Sequence, residues 1–177
     1  MSNIICKTYQ SPVGSLNIGV FNDQLCLCDW TYRKMRSSID KRVQSFFEAT
    51  FESGDHDLIA ETIHQLSEYF EGKRQTFNLP LLFSGTEFQQ SVWTDLTQIP
   101  YGETMSYGSL SRKRNNPKSI RAVAAANGAN AISIIVPCHR IIGSDGALTG
   151  YAGGLPAKEK LLKLEGVILS NGQQSLF

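Results

Sequence analysis

Three short runs near the start of the chain, NIICKTY, SLNIGVF and QLCLCDW, alternate in part between apolar and polar positions. SPVG and ND separate them. Alternation broken by turn residues predicts an antiparallel three-stranded meander. The stretch 33–57 is ambiguous, because VQSFFEATF fits a helix or a buried strand. Leu58, Ile59, Ile63, Leu66, Tyr69 and Phe70 then recur at helical spacing, and Gly72 supplies a stop. FNLPLLFSG reads as a connector.

The second half has a helical pattern. Ser84 and Glu87 fit a capping box, with Phe88, Val92, Trp93 and Leu96 as the buried stripe and Pro100 as the end. A short helix is predicted over Tyr107 to Arg112. Asn116 can cap the next one and Pro117 suits its first position; it should run to Ala126 and stop at Asn127-Gly128. ISIIV reads as a strand leading into Pro137 and Cys138. Residues 143–154 hold five glycines among twelve, so they form a loop or a small wing. A last helix starts near Pro156, buries Leu161, Leu162 and Leu164, and stops at Gly166.

The expected fold is α/β: a small N-terminal domain with an antiparallel sheet (1–83), a helical C-terminal domain (84–170) and a tail (171–177). At 177 residues, 41% hydrophobic and 19% charged, the chain can build one ordinary core or two small ones and is not a disordered composition. It contains no repeat and no apolar run of the roughly 20 residues a membrane span requires. Its N-terminus does not read as a secretory signal. Four cysteines are too few for a disulfide scaffold at this length, so reduced thiols in a cytosol or nucleus are expected.

The net charge of +1 conceals an asymmetry: −2 over residues 1–83 and +3 over 84–177. Between Tyr101 and Gly143 the basic residues are Arg112, Lys113, Arg114, Lys118, Arg121 and Arg140, against the single acid Glu103. Such a stretch suits an anionic partner, nucleic acid first, or is a solvated basic face. Two short helices joined by RKRNNP resemble a helix-turn-helix. The second, PKSIRAVAAANG, is unusual for a groove-reading helix, because Ala122, Ala124, Ala125 and Ala126 offer no base-edge chemistry. Close backbone approach to DNA, with Arg121 as the long side chain, is one reading. Packing against another helix is the other.

IIVPCHRII is the sharpest local feature. A cysteine followed by His139 and Arg140 sits where a base and a cation could favour thiolate. On a strand, however, Cys138 and His139 would point to opposite faces. A buried inert cysteine is the competing reading.

PCHR at 137–140, within IIVPCHRIIGSDGALTGYAGG, resembles the active-site motif of the O6-alkylguanine-DNA alkyltransferases. The likeness extends back through NPKSIRAVAAANGAN and IPYGETMSYGSL, and forward to KEKLLKLEG. It covers about residues 86–166, and SPVGSL resembles that family's first domain. The resemblance implies a winged helix-turn-helix and direct DNA repair: irreversible one-step transfer of an alkyl group from O6-alkylguanine to Cys138, without a cofactor. O4-alkylthymine is a second substrate that it leaves open. His139 would remove the thiol proton through a water, and Glu165, 27 residues beyond Cys138, would orient His139. Tyr107 would help rotate the nucleotide out and protonate the guanine ring. Arg121 would fill the gap left by the flipped base, with Lys118, Ala122, Ala125 and Ala126 also at the DNA. Asn130 would hold the link between recognition helix and active-site segment. Tyr151, Ile141, Ala152 and Gly153 would form the base pocket.

The chain departs from many relatives at Ala124, where they have glycine, and at Ala131, where they have proline. Ala152 stands where some have serine. Some relatives hold zinc in the first domain; here Cys6 aligns roughly, Cys26 and Cys28 fall out of register, and His56 and His64 read as surface helix residues, so a metal-free domain is expected. The implied partner is double-stranded DNA carrying O6-alkylguanine, met by a monomer in the cytoplasm, or the nucleus if the source is eukaryotic, with no membrane. Three rivals remain: a non-catalytic alkyl-lesion binder, a regulator using the helix-turn-helix, and a cysteine hydrolase.

Overall fold

The computed structural model describes residues 2–169; the expected tail 171–177 lies outside them. Strands β1 (Ser2–Gln10), β2 (Ser15–Phe21) and β3 (Gln24–Trp30) form the expected antiparallel meander. The sheet is mixed, however, because β4 (Ala49–Ser53) adds beside β1 in parallel, giving the order β3-β2-β1-β4. Parallel neighbours need a crossover, and helix α1 (Arg36–Phe47) supplies it. The ambiguity of VQSFFEATF resolves as both elements. The chain is helical to Phe47, turns at Glu48 with φ of +49°, and becomes β4.

One sheet face packs Ile4, Cys26 and Leu27 against Ile39 and Val43 of α1. The other face, with Leu16, Ile18 and Trp30, meets helix α2 (Asp57–Phe70) and then the second half of the chain. Ile59, Leu66 and Tyr69 of α2 share a single core with Val92, Trp93, Val123 and Leu161. His56 is the N-cap of α2, its Nδ1 accepting from the Leu58 N–H at 2.9 Å, while His64 is exposed.

Helix α3 (Glu87–Leu96) starts two residues later than Ser84 would allow. Thr86 and Gln89 form the capping box, not Ser84 and Glu87. Its buried side is Val92, Trp93 and Leu96; Phe88 is partly exposed beneath the Arg114 guanidinium, 5.1 Å from its ring centre. A two-residue strand, β5 (Met105–Ser106), leads into α4 (Tyr107–Lys113), which Ser106 caps. Pro117 opens a 3-10 turn, Pro117–Ser119, where the Asn116 side chain makes no cap bond. Helix α5 (Ile120–Gly128) follows and ends at Asn127-Gly128 as expected, with Asn127 buried.

ISIIV is not a strand. Residues 131–136 form buried turns joined to β3 by one bridge, Ile132 with Cys28. The apolar run reflects burial on all sides. The Asn130 side chain takes Ile132 N–H and the Val136 carbonyl, and Ile134 turns through φ of +72°, so ladder pairing cannot extend. Strand β6 (Ile141–Ile142) pairs in parallel with β5, the glycine-rich stretch is a loop, and helix α6 (Leu155–Leu164) ends before Gly166, whose φ is +83°.

Candidate active site

Cys138, His139 and Arg140 occupy a single 3-10 turn after Pro137, not a strand end. Successive side chains in such a turn diverge by about 120°, so the opposite-face objection lapses. All three are buried. Cys138 faces a cavity of about 560 Å³, while His139 and Arg140 both reach Glu165, just beyond α6.

Glu165 is a buried carboxylate with a full set of donors. His139 Nε2 lies 2.7 Å from its Oε2. Arg140 donates from Nε at 2.8 Å and Nη2 at 3.0 Å, one bond to each oxygen. Tyr69 donates its hydroxyl at 2.6 Å, and the Gly102 N–H lies at 3.4 Å. Arg140 also donates Nη1 to the Ile99 carbonyl at 2.6 Å. Burial opposes the charged form of Glu165, but the bonds and charges of His139 and Arg140 prevail and hold its carboxyl well below the ordinary range. An ionised carboxylate only accepts, so His139 carries its proton on Nε2. Nδ1 then keeps a free lone pair, and it has no hydrogen-bond partner among the described protein atoms. Burial lowers the His139 pKa, outweighing Glu165. The imidazole is therefore neutral and able to accept a proton.

Burial raises the Cys138 thiol; the Asn130 amide and the positive charges of Lys158 and Arg33 act against that rise. Cys6 and Cys26 are pushed up to about 12, mainly by burial, and Cys28 rises further. Cys138 alone has a described neutral base one residue away.

Of the predicted site residues, Asn130 makes three side-chain bonds, to Ile132 N–H (2.9 Å), the Val136 carbonyl (3.0 Å) and the Ile132 carbonyl (3.3 Å), at the turn before Cys138. Tyr107, Tyr151 and Ala152 line the cavity with Cys138, and so does Ala124. The Gly153 carbonyl accepts from Tyr32 at 2.9 Å. A β-carbon at Gly153 would come within 2.6 Å of the Trp30 ring, so glycine lets the pocket loop lie flat on β3. Ile141 does not line the cavity: it is fully buried in β6, paired with Met105. Arg121, Ala122, Ala125 and Lys118 are exposed, as an interface requires. Ala126 is not, since its side chain is buried and its carbonyl accepts from Trp93 Nε1 at 2.8 Å. Ala131 is buried as well, and its carbonyl accepts the Cys28 N–H.

The sequence reading gave no site role to Tyr69, Lys158 or Arg33. Arg140 entered it as a cation beside Cys138 and as one charge in a basic stretch, not as a partner of Glu165. Lys158, within KEKLLKLEG, is buried and donates to the Thr149 and Gly150 carbonyls at 2.8 and 3.3 Å, with burial lowering its pKa to about 8.

Comparison with known proteins finds matches in both halves of the chain. A family model described as 6-O-methylguanine DNA methyltransferase, ribonuclease-like domain, matches residues 4–83, and its DNA binding domain counterpart matches 87–167. A methylated-DNA–protein-cysteine methyltransferase of Mycolicibacterium paratuberculosis is 40% identical over 162 residues, 90% of either chain. One from Methanosarcina mazei is 56% identical over 109 residues, 62% of this chain and 69% of that one. The crystal structure of the Mycobacterium tuberculosis O6-methylguanine methyltransferase superposes with a TM-score of 0.77 at 37% identity, over 100% of this chain and 99% of that one. That of Mycobacterium tuberculosis OGT in complex with DNA gives 0.76 at 39% identity over 92% of each. With likeness running through both domains and the whole length of the fold, the chain belongs to the methylated-DNA–protein-cysteine methyltransferase family.

Proposed function

We propose that this protein repairs double-stranded DNA by moving the alkyl group of O6-alkylguanine onto Sγ of Cys138, once per molecule. The observation that carries the reading is the Glu165–His139 pair, with its basic Nδ1, adjoining a cysteine that faces a cavity. His139 takes the thiol proton through a bridging water, and Glu165 stabilises the imidazolium that forms. The thiolate attacks the alkyl carbon, an S–C bond forms as the O6–C bond breaks, and the guanine leaves with its electron pair, protonated by Tyr107. The thioether has no ready leaving group, so the protein is consumed. The reaction needs no cofactor.

The lesion lies within the base stack, so the nucleotide must rotate out. Arg121 at the exposed start of α5 fills the gap, and the small faces of Ala122 and Ala125 allow close approach, with Lys118 at the phosphates. Affinity should fall steeply with salt and vary little with sequence. One monomer serves one lesion, in the cytoplasm; no helix among the described residues is long and apolar enough to cross a membrane. O4-alkylthymine is the second substrate class to try.

Intact mass spectrometry after mixing with a duplex carrying one O6-methylguanine tests the reading. One methyl per protein, mapped to Cys138 and absent from Cys138→Ser, is expected. Sustained turnover, or label on Cys6, Cys26 or Cys28, would sink it. Binding of the lesion without any transfer would favour the lesion-binder reading.

A further inference from the structure

Arg33 follows β3 in the N-terminal half, yet its guanidinium ends inside the C-terminal half. Nη1 donates to Asp29 Oδ2 and to the Asn130 carbonyl, both at 3.0 Å, and Nη2 donates to the Gly128 carbonyl. The side chain is 6% exposed. Gly128 and Asn130 stand at the end of α5, where a helix leaves its last carbonyls unpaired and where a cation is favoured by the dipole. Asp29 is fully buried, also pairs with Arg36 at 3.0 Å, and accepts from Ser133 Oγ at 3.3 Å. Asn130 is thus gripped twice. Its carbonyl belongs to Arg33, and its side chain holds both ends of the turns that lead to Cys138. Arg33 also lines the same cavity as Cys138.

We infer that Arg33 is a positioning residue for alkyl transfer: by tying the end of α5 and the Asn130 turn to the N-terminal sheet, it fixes where the sulfur sits in the cavity and keeps a positive charge on that cavity's wall. The other charged or titratable groups around the sulfur are Lys158 from α6, Asp29 from β3, and Tyr151 from the pocket loop, with His139 on its own turn; Tyr107 of α4 and Tyr32 and Lys34 beside Arg33 line the same cavity. None of them bonds to the end of α5 as Arg33 does. A lysine in its place would keep the charge but not the fork, since one ammonium cannot reproduce a planar guanidinium spread over a carboxylate and two carbonyls.

The inference rests on the proposed alkyl transfer to Cys138, so the experiment uses two probes. One is free O6-benzylguanine; the other is iodoacetamide, which reports on the thiol whatever the natural reaction is. Rates of Cys138 modification are measured from pH 6 to 9.5 for the full chain and for Arg33→Lys, Arg33→Gln and Arg33→Ala, with thermal melting as the folding check. Arg33→Ala is expected to slow benzyl transfer at pH 7 by tenfold or more. With both probes it should move the rise in rate to higher pH. Arg33→Gln should show the same alkaline displacement, and it serves in place of Arg33→Ala should that variant fail to fold. Arg33→Lys should recover part of the rate with its profile where the unsubstituted protein has it. Wild-type rates and profiles in the alanine or glutamine variant would overturn the inference. So would a lysine variant as slow and as displaced as alanine. If the unsubstituted protein takes iodoacetamide but no benzyl group, the alkyl-transfer reading fails, and the iodoacetamide profiles still decide the role of Arg33.

Discussion

Tyr69, in the last turn of α2 in the N-terminal half, donates its hydroxyl to Glu165 at 2.6 Å, on the same carboxylate oxygen that His139 reaches at 2.7 Å. The group that orients the base is therefore held from both halves of the chain. Tyr69→Phe removes one donor while leaving His139 and Arg140 in place. A loss of about 1–3 kcal/mol in stability is expected, the usual range for an unmet buried partner. Alkyl transfer should slow several-fold, equally for duplex and free base. Chemical denaturation and single-turnover rates check this; an unchanged protein on both counts would remove Tyr69 from the site.

Acid should act through Glu165 and His139. Glu165 is held below its ordinary value of 4.5, so its contribution is complete above that pH and is lost as pH falls below it. His139 is lowered from 6.5, so the folded state favours its neutral form, and that contribution too is lost as pH falls below 6.5. The melting temperature should decline from pH 7 to pH 4. Glu165→Gln should start lower, since breaking a buried pair costs about 3–5 kcal/mol, and should lack the further decline that Glu165 adds below pH 4.5. Parallel melting curves for the two proteins would count against this assignment.

Arg121 separates base extrusion from bond breaking. It is exposed at the start of α5 and is not among the cavity-lining residues. Arg121→Ala should slow transfer from a duplex far more than from free O6-benzylguanine, which needs no extrusion. A lost gap-filling contact is on the order of a few kcal/mol, the scale of unstacking a base. Equal impairment of both substrates would mean that Arg121 supports the pocket instead.

Gly153 has no room for a side chain, because a β-carbon would sit 2.6–2.8 Å from atoms of the buried Trp30 ring. Gly153→Ala should destabilise by about 1–3 kcal/mol through overpacking and shift the loop that carries Tyr151 and Ala152. Slower transfer of benzyl and methyl groups alike is expected. A variant with normal stability and rate would show that loop and sheet part easily.

The meander, α2, α4 and α6 were legible because period-two and 3.6-residue patterns follow directly from which face is buried. Local competition decided the errors. Each candidate cap has a partner three residues on, Glu87 for Ser84 and Gln89 for Thr86, but Ser84 is buried and it is the Thr86–Gln89 pair that closes the box. ISIIV carries a strand's composition, but Asn130 claims the backbone groups a ladder would use. The pairing of β4 with β1 was beyond reach because the partnered residues lie 47 positions apart, Ser2 with Ala49. Among the site residues, those within the PCHR block and its flanking motifs could be found by resemblance. Tyr69 and Arg33 could not: each sits in an unremarkable local pattern and gains its role only when the two halves close on each other.

Ile134 is a β-branched residue held at φ of +72°, four positions before Cys138. Such a conformation costs on the order of 1–3 kcal/mol and persists only where its surroundings outvote it. The approach to the nucleophile is thus a loaded spring, latched by the Asn130 amide. Its geometry is kept by a balance of opposing forces, and whatever loosens the latch also gives the chain a reason to carry the sulfur elsewhere.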